Sequence, residues 1–209
     1  MSPYVINIGR QLGSGGRQIG QMLARELGIA YYDREILDLA ARESGYSAEI
    51  FEQKDERRGL LQGVFGTFLP FGTGGAGAAG YYAGELSEGN LFRLQSEAIK
   101  KVAARESCIF IGRCADYVLR DHPRAMSVFV AARPADRVAR LMDYEHIGEQ
   151  EARRRIEAGD RDRASYYNFY AAGTWGAAAT YDLCIDSSAL GIEATAEFIL
   201  SYVRRRFSL

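Results

Sequence analysis

The hydrophobic residues of the chain fall into short, nearly continuous runs, which are typical of strands that are buried on both faces of a sheet. Four of these runs are clear, namely Tyr4–Ile8, Ser107–Ile111, Met126–Ala131 and Tyr181–Ile185, and a fifth run, Ile29–Tyr32, is shorter. Between the runs, apolar residues recur every three or four positions, which predicts amphipathic helices. The predicted helices are Arg17–Leu27, Arg34–Ser44, Leu91–Arg105, Pro134–His146, Glu149–Ala164 and Ile192–Phe207.

The alternation of strands and helices predicts βαβ units and a parallel sheet with right-handed crossovers. Ligands of such sheets bind at the carboxyl ends of the strands. Polar or charged residues and glycines follow the predicted strands, namely Gly9–Arg17, Asp33, Gly112 and Arg113 with Asp116, and Asp186–Ser188. The sequence therefore predicts a site at one edge of the sheet. Asp33 has a second interpretation as the N-cap of the next helix, and Asp186–Ser188 read as turn residues before the last helix.

A glycine cluster directly follows the first predicted strand and directly precedes the first predicted helix. This order is typical of a phosphate-binding loop, whose backbone N–H groups surround an anion at the start of the helix. When the cluster is aligned with the Walker motif of phosphate-binding loops, Gly16 occupies the position of the motif's lysine. The first cationic residue comes one position later, at Arg17. Taken alone, the cluster is also compatible with an ordinary turn.

Arginines are dense in the second half of the chain. Arg137 and Arg140 are three residues apart on one predicted helix, and the runs 153–155 and 160–163 follow. Arginine binds phosphate through two parallel hydrogen bonds and stays charged, so a phosphoryl-transfer site favours it. The alternative is a solvated helix surface with ion pairs to the neighbouring carboxylates. Arg161 and Arg163 are the better candidates because they adjoin an aspartate-rich turn.

The segment 59–84 has no charged residue and combines glycine with phenylalanine and tyrosine. Its glycine density argues against a membrane span. A lid, a contact between copies of the chain and a disordered loop all stay open for it.

Composition narrows the function classes. The 209 residues carry a formal net charge of −1, so no overall positive field favours nucleic acid or anionic lipid. The three cysteines have no metal-type spacing, and their odd number argues against a disulfide framework. No secretory signal is visible, so we expect a cytoplasmic protein without a membrane span.

Five segments in one order resemble the cytidylate kinase-like family, which is related to the nucleoside monophosphate kinases. They are Gly13–Arg17, Tyr32–Asp33, Gly112–Asp116, Asp160–Ala164 and Tyr181–Ser188. The resemblance implies a single three-layer α/β domain with the P-loop kinase, adenylate kinase-like fold. It further implies a parallel sheet of about five strands with helices on both faces. An insertion or lid-like segment at about 45–90 and an arginine-rich lid at about 134–165 are expected.

The resemblance also implies roles for individual residues. Those expected at the donor phosphates of ATP are Arg10, Gly13, Ser14, Gly15, Gly16, Arg17, Gln18, Arg137 and Arg140. Those expected at the acceptor nucleotide are Asp33, Arg113, Asp116, Arg161 and Asp162. Those expected to stabilise charge during transfer are Arg17, Arg155, Arg161 and Arg163.

The activity implied is transfer of a phosphoryl group from ATP to CMP or dCMP with Mg²⁺, for which Ser14 offers a hydroxyl ligand. The loop lacks the family's usual lysine. A nucleotide-binding or regulatory protein on the same fold, or a kinase of another small metabolite, is therefore the alternative. The segment 59–84 is a candidate contact for a homo-oligomer.

Overall fold

A computed structural model describes residues 2–44 and 88–209, and it divides them into two compact units. One unit comprises residues 1–33 and 100–209, and the other comprises residues 34–99. The glycine-aromatic segment 59–84 and most of the predicted insertion lie outside the described residues. The predicted single-domain organisation stays a prediction.

Five strands form one parallel sheet with the order β2-β3-β1-β4-β5. The strands are β1 (Val5–Arg10), β2 (Ala30–Tyr32), β3 (Cys108–Ile111), β4 (Ala125–Ala131) and β5 (Leu183–Asp186). All five predicted strands are present, within two residues at each boundary, and the predicted parallel sheet is confirmed. The first strand continues to Arg10, two residues beyond the apolar run, because Gly9 and Arg10 pair with Phe129 and Val130 of β4.

The α-helices of the described chain are α1 (Gly16–Leu27), α2 (Glu35–Ser44), α3 (Glu88–Arg105), α4 (Ala115–Val118), α5 (Pro134–Glu145), α6 (Glu149–Tyr170) and α7 (Ser187–Phe207). Gly191, with non-helical angles, kinks α7 near its start. The sequence does not predict the short helix α4, since four residues carry too little periodicity to be seen.

The core lies between one face of the sheet and the helices α1 and α7. Alternate residues of the central strands, such as Ile6, Ile8, Val128 and Val130, are almost fully buried against apolar residues of these helices, including Ile199. On the opposite face, Tyr167 of α6 and Tyr181 lie next to each other, and Tyr181 also packs on Phe129. Helical residues therefore pack on both faces of the sheet.

Helices α5 and α6 pack on each other through Val138, Leu141, Ala152 and Ile156. They occupy the region that is predicted to be an arginine-rich lid. The predicted helix Glu149–Ala164 is present and continues without a break to Tyr170, so the aspartate-rich turn expected next to Arg161 and Arg163 is wrong. Ion pairs between charged residues one turn apart, such as Arg153 with Glu149, stabilise this helix.

None of the helices in the described ranges has the length and apolar character that crossing a lipid bilayer requires.

Candidate functional site

The loop between β1 and α1 has the geometry of an anion-binding turn. Gly13 has a φ of 78°, and a Cβ there would lie 2.6 Å from the carbonyl oxygen of Arg137, so only glycine fits. Helix α1 starts at Gly16, next to Gly15. Within the described chain no side chain caps this end, and its first turn holds no acidic residue. The first N–H groups of a helix need acceptors, so this loop is suited to bind an anion.

The loop is held in place by a buried ion pair. Asp160 accepts a hydrogen bond from the Leu12 N–H at 2.8 Å through Oδ1, and its Oδ2 bonds Nη2 of Arg137. The Nε of Arg137 donates to the Leu12 carbonyl oxygen at 2.7 Å. Leu12 also packs on the apolar residues between α5 and α6. The two charged side chains, which we call the Leu12 clamp, therefore tie the loop to both helices.

A second set of hydrogen bonds secures the other side of the loop. The Ser14 carbonyl oxygen accepts from the Ser187 hydroxyl at 2.7 Å and from Arg140 Nη1 at 3.3 Å. Arg140 also donates to the Ser187 hydroxyl oxygen at 2.9 Å. The Ser14 hydroxyl donates to the Gln11 carbonyl oxygen, and Ser14 is completely buried. Arg137 and Arg140 thus hold the loop's backbone, whereas the predicted role of both is at the donor phosphates.

The backbone after β3 is strained. Gly112, Arg113 and Cys114 have φ values of 67°, 62° and 53°, so three consecutive residues adopt the left-handed region. For arginine and cysteine this conformation costs free energy and persists only where the surrounding structure enforces it. Strain of this kind concentrates at binding and catalytic sites. It turns Arg113 at the edge of the sheet where β1 and β2 also end.

At that edge, arginines surround one buried carboxylate. Arg17 Nη2 lies 2.5 Å from Asp33 Oδ2, and Arg10 Nη2 lies 3.8 Å from Asp33 Oδ1. Asp33 also attracts the guanidinium of Arg163. Arg113 and Arg163 both repel the guanidinium of Arg10. We call Arg10, Arg17, Arg113 and Arg163 the arginine cluster. Asp33 attracts Arg10, Arg17 and Arg163, and Arg163 Nη1 also lies 3.6 Å from Asp160 Oδ1.

The pKa values of Arg10 and Arg163 are lowered by burial and by the neighbouring positive charges. Burial and the repulsion of Arg163, Arg113 and Arg17 lower the pKa of Arg10 to about 9, although Asp33 opposes this. Burial also lowers the pKa of Arg163, with Arg17 and Arg137 adding to the effect. Burial acts in the same sense on Arg17, but the attraction and hydrogen bond of Asp33 raise its pKa above the ordinary value. Arg163 Nη1 is buried and forms no hydrogen bond with the described residues, although it lies 3.6 Å from Asp160 Oδ1. An anion bound at the cluster would relieve both the repulsion and the missing hydrogen bond.

The other predicted site residues lie in different surroundings. Arg155 is exposed and pairs with Glu151 and Glu145 at 2.7 and 2.5 Å, as in the alternative of a solvated helix surface. Arg161 and Gln18 are exposed. Asp162 has one buried oxygen without a partner among the described residues, and burial raises the pKa of its carboxyl group. The roles of these residues stay predictions.

Asp116 is bonded to an aromatic residue that the sequence does not single out. The Tyr167 hydroxyl donates to Asp116 Oδ2 at 2.5 Å, and the backbone N–H groups of Asp116 and Tyr117 also donate to this carboxylate. Burial outweighs these hydrogen bonds and raises the pKa of Asp116. The carboxylate is therefore bound to its own helix and to α6.

This contact predicts a pH dependence of stability. A raised pKa in the folded state means that the folded protein holds the Asp116 proton more tightly than the unfolded chain does. Its contribution to stability is therefore lost as the pH rises from the ordinary aspartate value through the raised one. We expect Asp116→Asn, which has no proton to lose, to gain unfolding free energy relative to the wild type between pH 4 and 7.

Urea unfolding at several pH values measures this difference. Asp121→Asn, which removes an exposed carboxylate next to the same helix, is the matched control and should show no such trend. A difference between Asp116→Asn and wild type that is the same at every pH would contradict the prediction.

The sequence alone does not reveal several residues that shape the site. Asp160 belongs to a segment that the resemblance singles out, but its pairing with Arg137 crosses 23 positions and leaves no local signal. Ser187 reads as a turn residue, yet it is buried under the loop. Asp186 is the N-cap of α7 and accepts from the Ser188 N–H, as expected for turn chemistry. Asp33 lies two residues before the start of α2, and its carboxylate binds Arg17. Its alternative role as the N-cap stays a prediction.

A five-stranded parallel sheet with a glycine loop after its first strand and arginines at its carboxyl edge defines a P-loop kinase fold. Solved structures share this fold. One is a shikimate kinase from Bacteroides thetaiotaomicron, at 14% identity and a TM-score of 0.53, with 99% of each chain covered. Another is a gluconokinase from Sinorhizobium meliloti 1021, at 13% identity and a TM-score of 0.51, with 97% of this chain and 93% of that chain covered.

The model of the cytidylate kinase-like family matches residues 5–189, and the chain belongs to that family. An uncharacterized protein from Eubacterium ventriosum ATCC 27560 is similar at 25% identity, with a TM-score of 0.70 and coverage of 96% of this chain and 98% of that chain. A search of curated protein sequences gives no match. The predicted family and fold class are thereby confirmed.

Proposed function

We propose that this protein is a nucleoside monophosphate kinase that transfers the γ-phosphoryl group of ATP to CMP or dCMP. The observation that carries the proposal is the arginine cluster, because Arg163, Arg113 and Arg17 all repel the buried guanidinium of Arg10 in spite of the attraction of Asp33, which indicates an excess of positive charge beside an anion-binding loop. Membership of the cytidylate kinase-like family supports the choice of acceptor.

In this reaction the protein has to position the two nucleotides and stabilise the negative charge of the transferring phosphoryl group. An oxygen of the acceptor phosphate forms a bond to the γ-phosphorus, and the bond from that phosphorus to the oxygen bridging to the β-phosphate breaks. The electron pair of the broken bond leaves with ADP. No general base is needed, since the acceptor oxygen is already ionised. The arginine cluster stabilises the charge that is spread over the transferring group.

Magnesium fits the described residues poorly. The Ser14 hydroxyl, the predicted ligand, donates its proton to the Gln11 carbonyl oxygen and keeps its lone pairs, but Ser14 is completely buried, which argues against it as a metal ligand. Residues 2–44 and 88–209 contain no group of three or more acidic, histidine or cysteine side chains that could hold a metal ion. No step of the transfer is therefore assigned to a metal. Any Mg²⁺ would be bound through ATP phosphates and water.

The test is an assay of nucleoside diphosphate formation. The purified protein is incubated with MgATP and, in turn, CMP, dCMP, UMP, AMP or GMP, and the products are separated by chromatography. We expect CDP and dCDP to form fastest. The variant Arg163→Met, purified in the same way, shows whether the activity belongs to this protein or to a contaminating kinase.

Absence of product with all five monophosphates would contradict the proposal. If ATP still stabilised the protein against heat, the alternative of a nucleotide-binding or regulatory protein would be favoured. A second screen with small hydroxyl acceptors would then test for a kinase of another metabolite.

A further inference from the structure

The space that a side chain at position 16 would need is already filled. A Cβ at Gly16 would lie 2.6 Å from the Cβ and 3.1 Å from the Cγ of Arg10, closer than real side chains approach. Gly16 is the first residue of α1 and has no left-handed φ, so its backbone accepts any residue. Glycine is therefore required at this position by space and not by conformation. The lysine column of the loop and the side chain of Arg10 exclude each other.

The Arg10 side chain extends from the end of β1 across this space towards the end of β3. A Cβ at Gly112 would lie only 2.1 Å from Arg10 Nη1, so the absence of a side chain there admits the guanidinium. Its Nη2 lies 3.8 Å from Asp33 Oδ1, and the side chain is 16% exposed. Two glycines, at the start of α1 and after β3, thus form the passage that Arg10 occupies.

We propose that Arg10 replaces the missing loop lysine and binds the donor phosphates. In phosphate-binding loops the cation is usually at the start of the helix, whereas here it comes from the end of strand β1. This inference rests on the proposed function, because it concerns how the same site holds ATP. Arg17 has a different part: it is half exposed and its guanidinium bonds Asp33 directly.

Arginine suits this environment better than lysine does. Burial and three neighbouring guanidiniums lower the pKa of Arg10 to about 9, which still leaves it charged at neutral pH. An ammonium group starts from a lower ordinary pKa, so the same surroundings would bring its titration into the neutral range. The guanidinium also offers a planar fork for two phosphate oxygens.

Swapping the two positions tests the inference. The variants are Arg10→Gly, Gly16→Lys and the double variant Arg10→Gly/Gly16→Lys. Glycine and not alanine is used at position 10, because an alanine Cβ would keep the 2.6 Å clash. Arg17→Ala is made in parallel. ATP affinity is measured by calorimetry, CDP formation by chromatography, and folding by thermal unfolding.

We expect Arg10→Gly to weaken ATP binding and to lower kcat/KM for ATP about 100- to 1,000-fold, as for the loss of a preorganised charged donor. Gly16→Lys alone should be less stable than the wild type, because its Cβ meets the Cβ of Arg10. The double variant should regain at least about tenfold in both affinity and kcat/KM over Arg10→Gly, since the lysine then enters the vacated space.

Four results would overturn the inference. The first is a double variant that is folded like Arg10→Gly and no better than it in ATP affinity. The second is a larger loss of ATP affinity in Arg17→Ala than in Arg10→Gly, which would place the substitute cation on the helix. The other two also bear on the proposed function. ATP binding that depends on Arg10 without transfer to any monophosphate would leave the inference intact and refute the proposed function. Transfer to CMP that is unaffected by Arg10→Gly would refute the inference and leave the proposed function intact. A wild-type protein that does not bind ATP would refute both.

Discussion

Replacing Arg163 by methionine is expected to lower kcat for phosphoryl transfer about 100- to 1,000-fold and, at the same time, to make the free protein more resistant to unfolding. The loss of rate follows from removing one charged donor from a site whose task is to stabilise phosphate charge. We expect the gain in stability because burial and the repulsion of Arg17 and Arg137 lower the pKa of Arg163 in spite of the attraction of Asp160 and Asp33, so that its charged form is disfavoured in the folded protein. Methionine keeps the length of the buried stem.

Two measurements on one variant check this prediction: steady-state kinetics with MgATP and CMP, and urea unfolding without ligand. Arg153→Met is the matched control, because Arg153 lies on the same helix and forms an exposed ion pair with Glu149 at 2.7 Å. Such pairs contribute less than about 1 kcal/mol, so this control should change little. If Arg163→Met unfolded more readily and kept its rate, the arginine cluster would be a structural feature and not an anion site.

The prediction is specific because kcat is expected to fall while the free energy of unfolding rises. An arginine that serves only the fold would contribute to stability, and its loss would reduce unfolding free energy. A cluster that is destabilising when empty and is relieved by an anion gives the reverse. Added ATP should therefore stabilise the wild type more than Arg163→Met, because the wild type has more repulsion to relieve.

The strands and their parallel arrangement could be predicted because burial on both faces leaves continuous apolar runs. The position of the site followed from the same argument, since Asp33, Arg113 and the glycine loop come directly after three strands that prove to be neighbours. That Arg10 and Arg163 belong to one cluster with Asp33 did not follow. Arg163 lies within the predicted helix Glu149–Ala164, but which residues its side chain meets depends on tertiary packing and not on the local pattern.

Roles within the site were harder to predict than its location. Both Arg137 and Arg163 are arginines near acidic residues in a helical region, and the sequence does not distinguish them. The structure shows that Arg137 is bonded to Asp160 and to the Leu12 carbonyl, while the buried Nη1 of Arg163 forms no hydrogen bond in the described chain. The difference depends on which side of α6 faces the loop and on one long-range ion pair. Similarly, the sequence indicates at Gly16 only that the loop lysine is missing. The structure adds that the side chain of Arg10 fills the space which a side chain at position 16 would need.

Removing Asp160, the residue of α6 that holds the loop between β1 and α1, is expected to destabilise the protein strongly. Asp160→Ala leaves the buried guanidinium of Arg137 without its carboxylate and the Leu12 N–H without its acceptor. Breaking a buried ion pair from one side costs about 3–5 kcal/mol. For a chain of this size, that corresponds to a fall in Tm on the order of 10 °C. Asp160→Asn retains an acceptor for Leu12 and should lose less.

The control for Asp160→Ala is Glu149→Ala, which breaks an exposed ion pair at the start of the same helix and should change Tm by no more than about 2 °C. The Leu12 clamp also predicts that stability and ATP affinity fall together, because the proposed function places the amides of the loop that Asp160 fixes at the donor phosphates. A variant that lost stability but bound ATP as tightly as the wild type would show that the loop keeps its shape without the clamp. In that case the backbone hydrogen bonds of Ser14 to Ser187 and Arg140 would be sufficient to hold it.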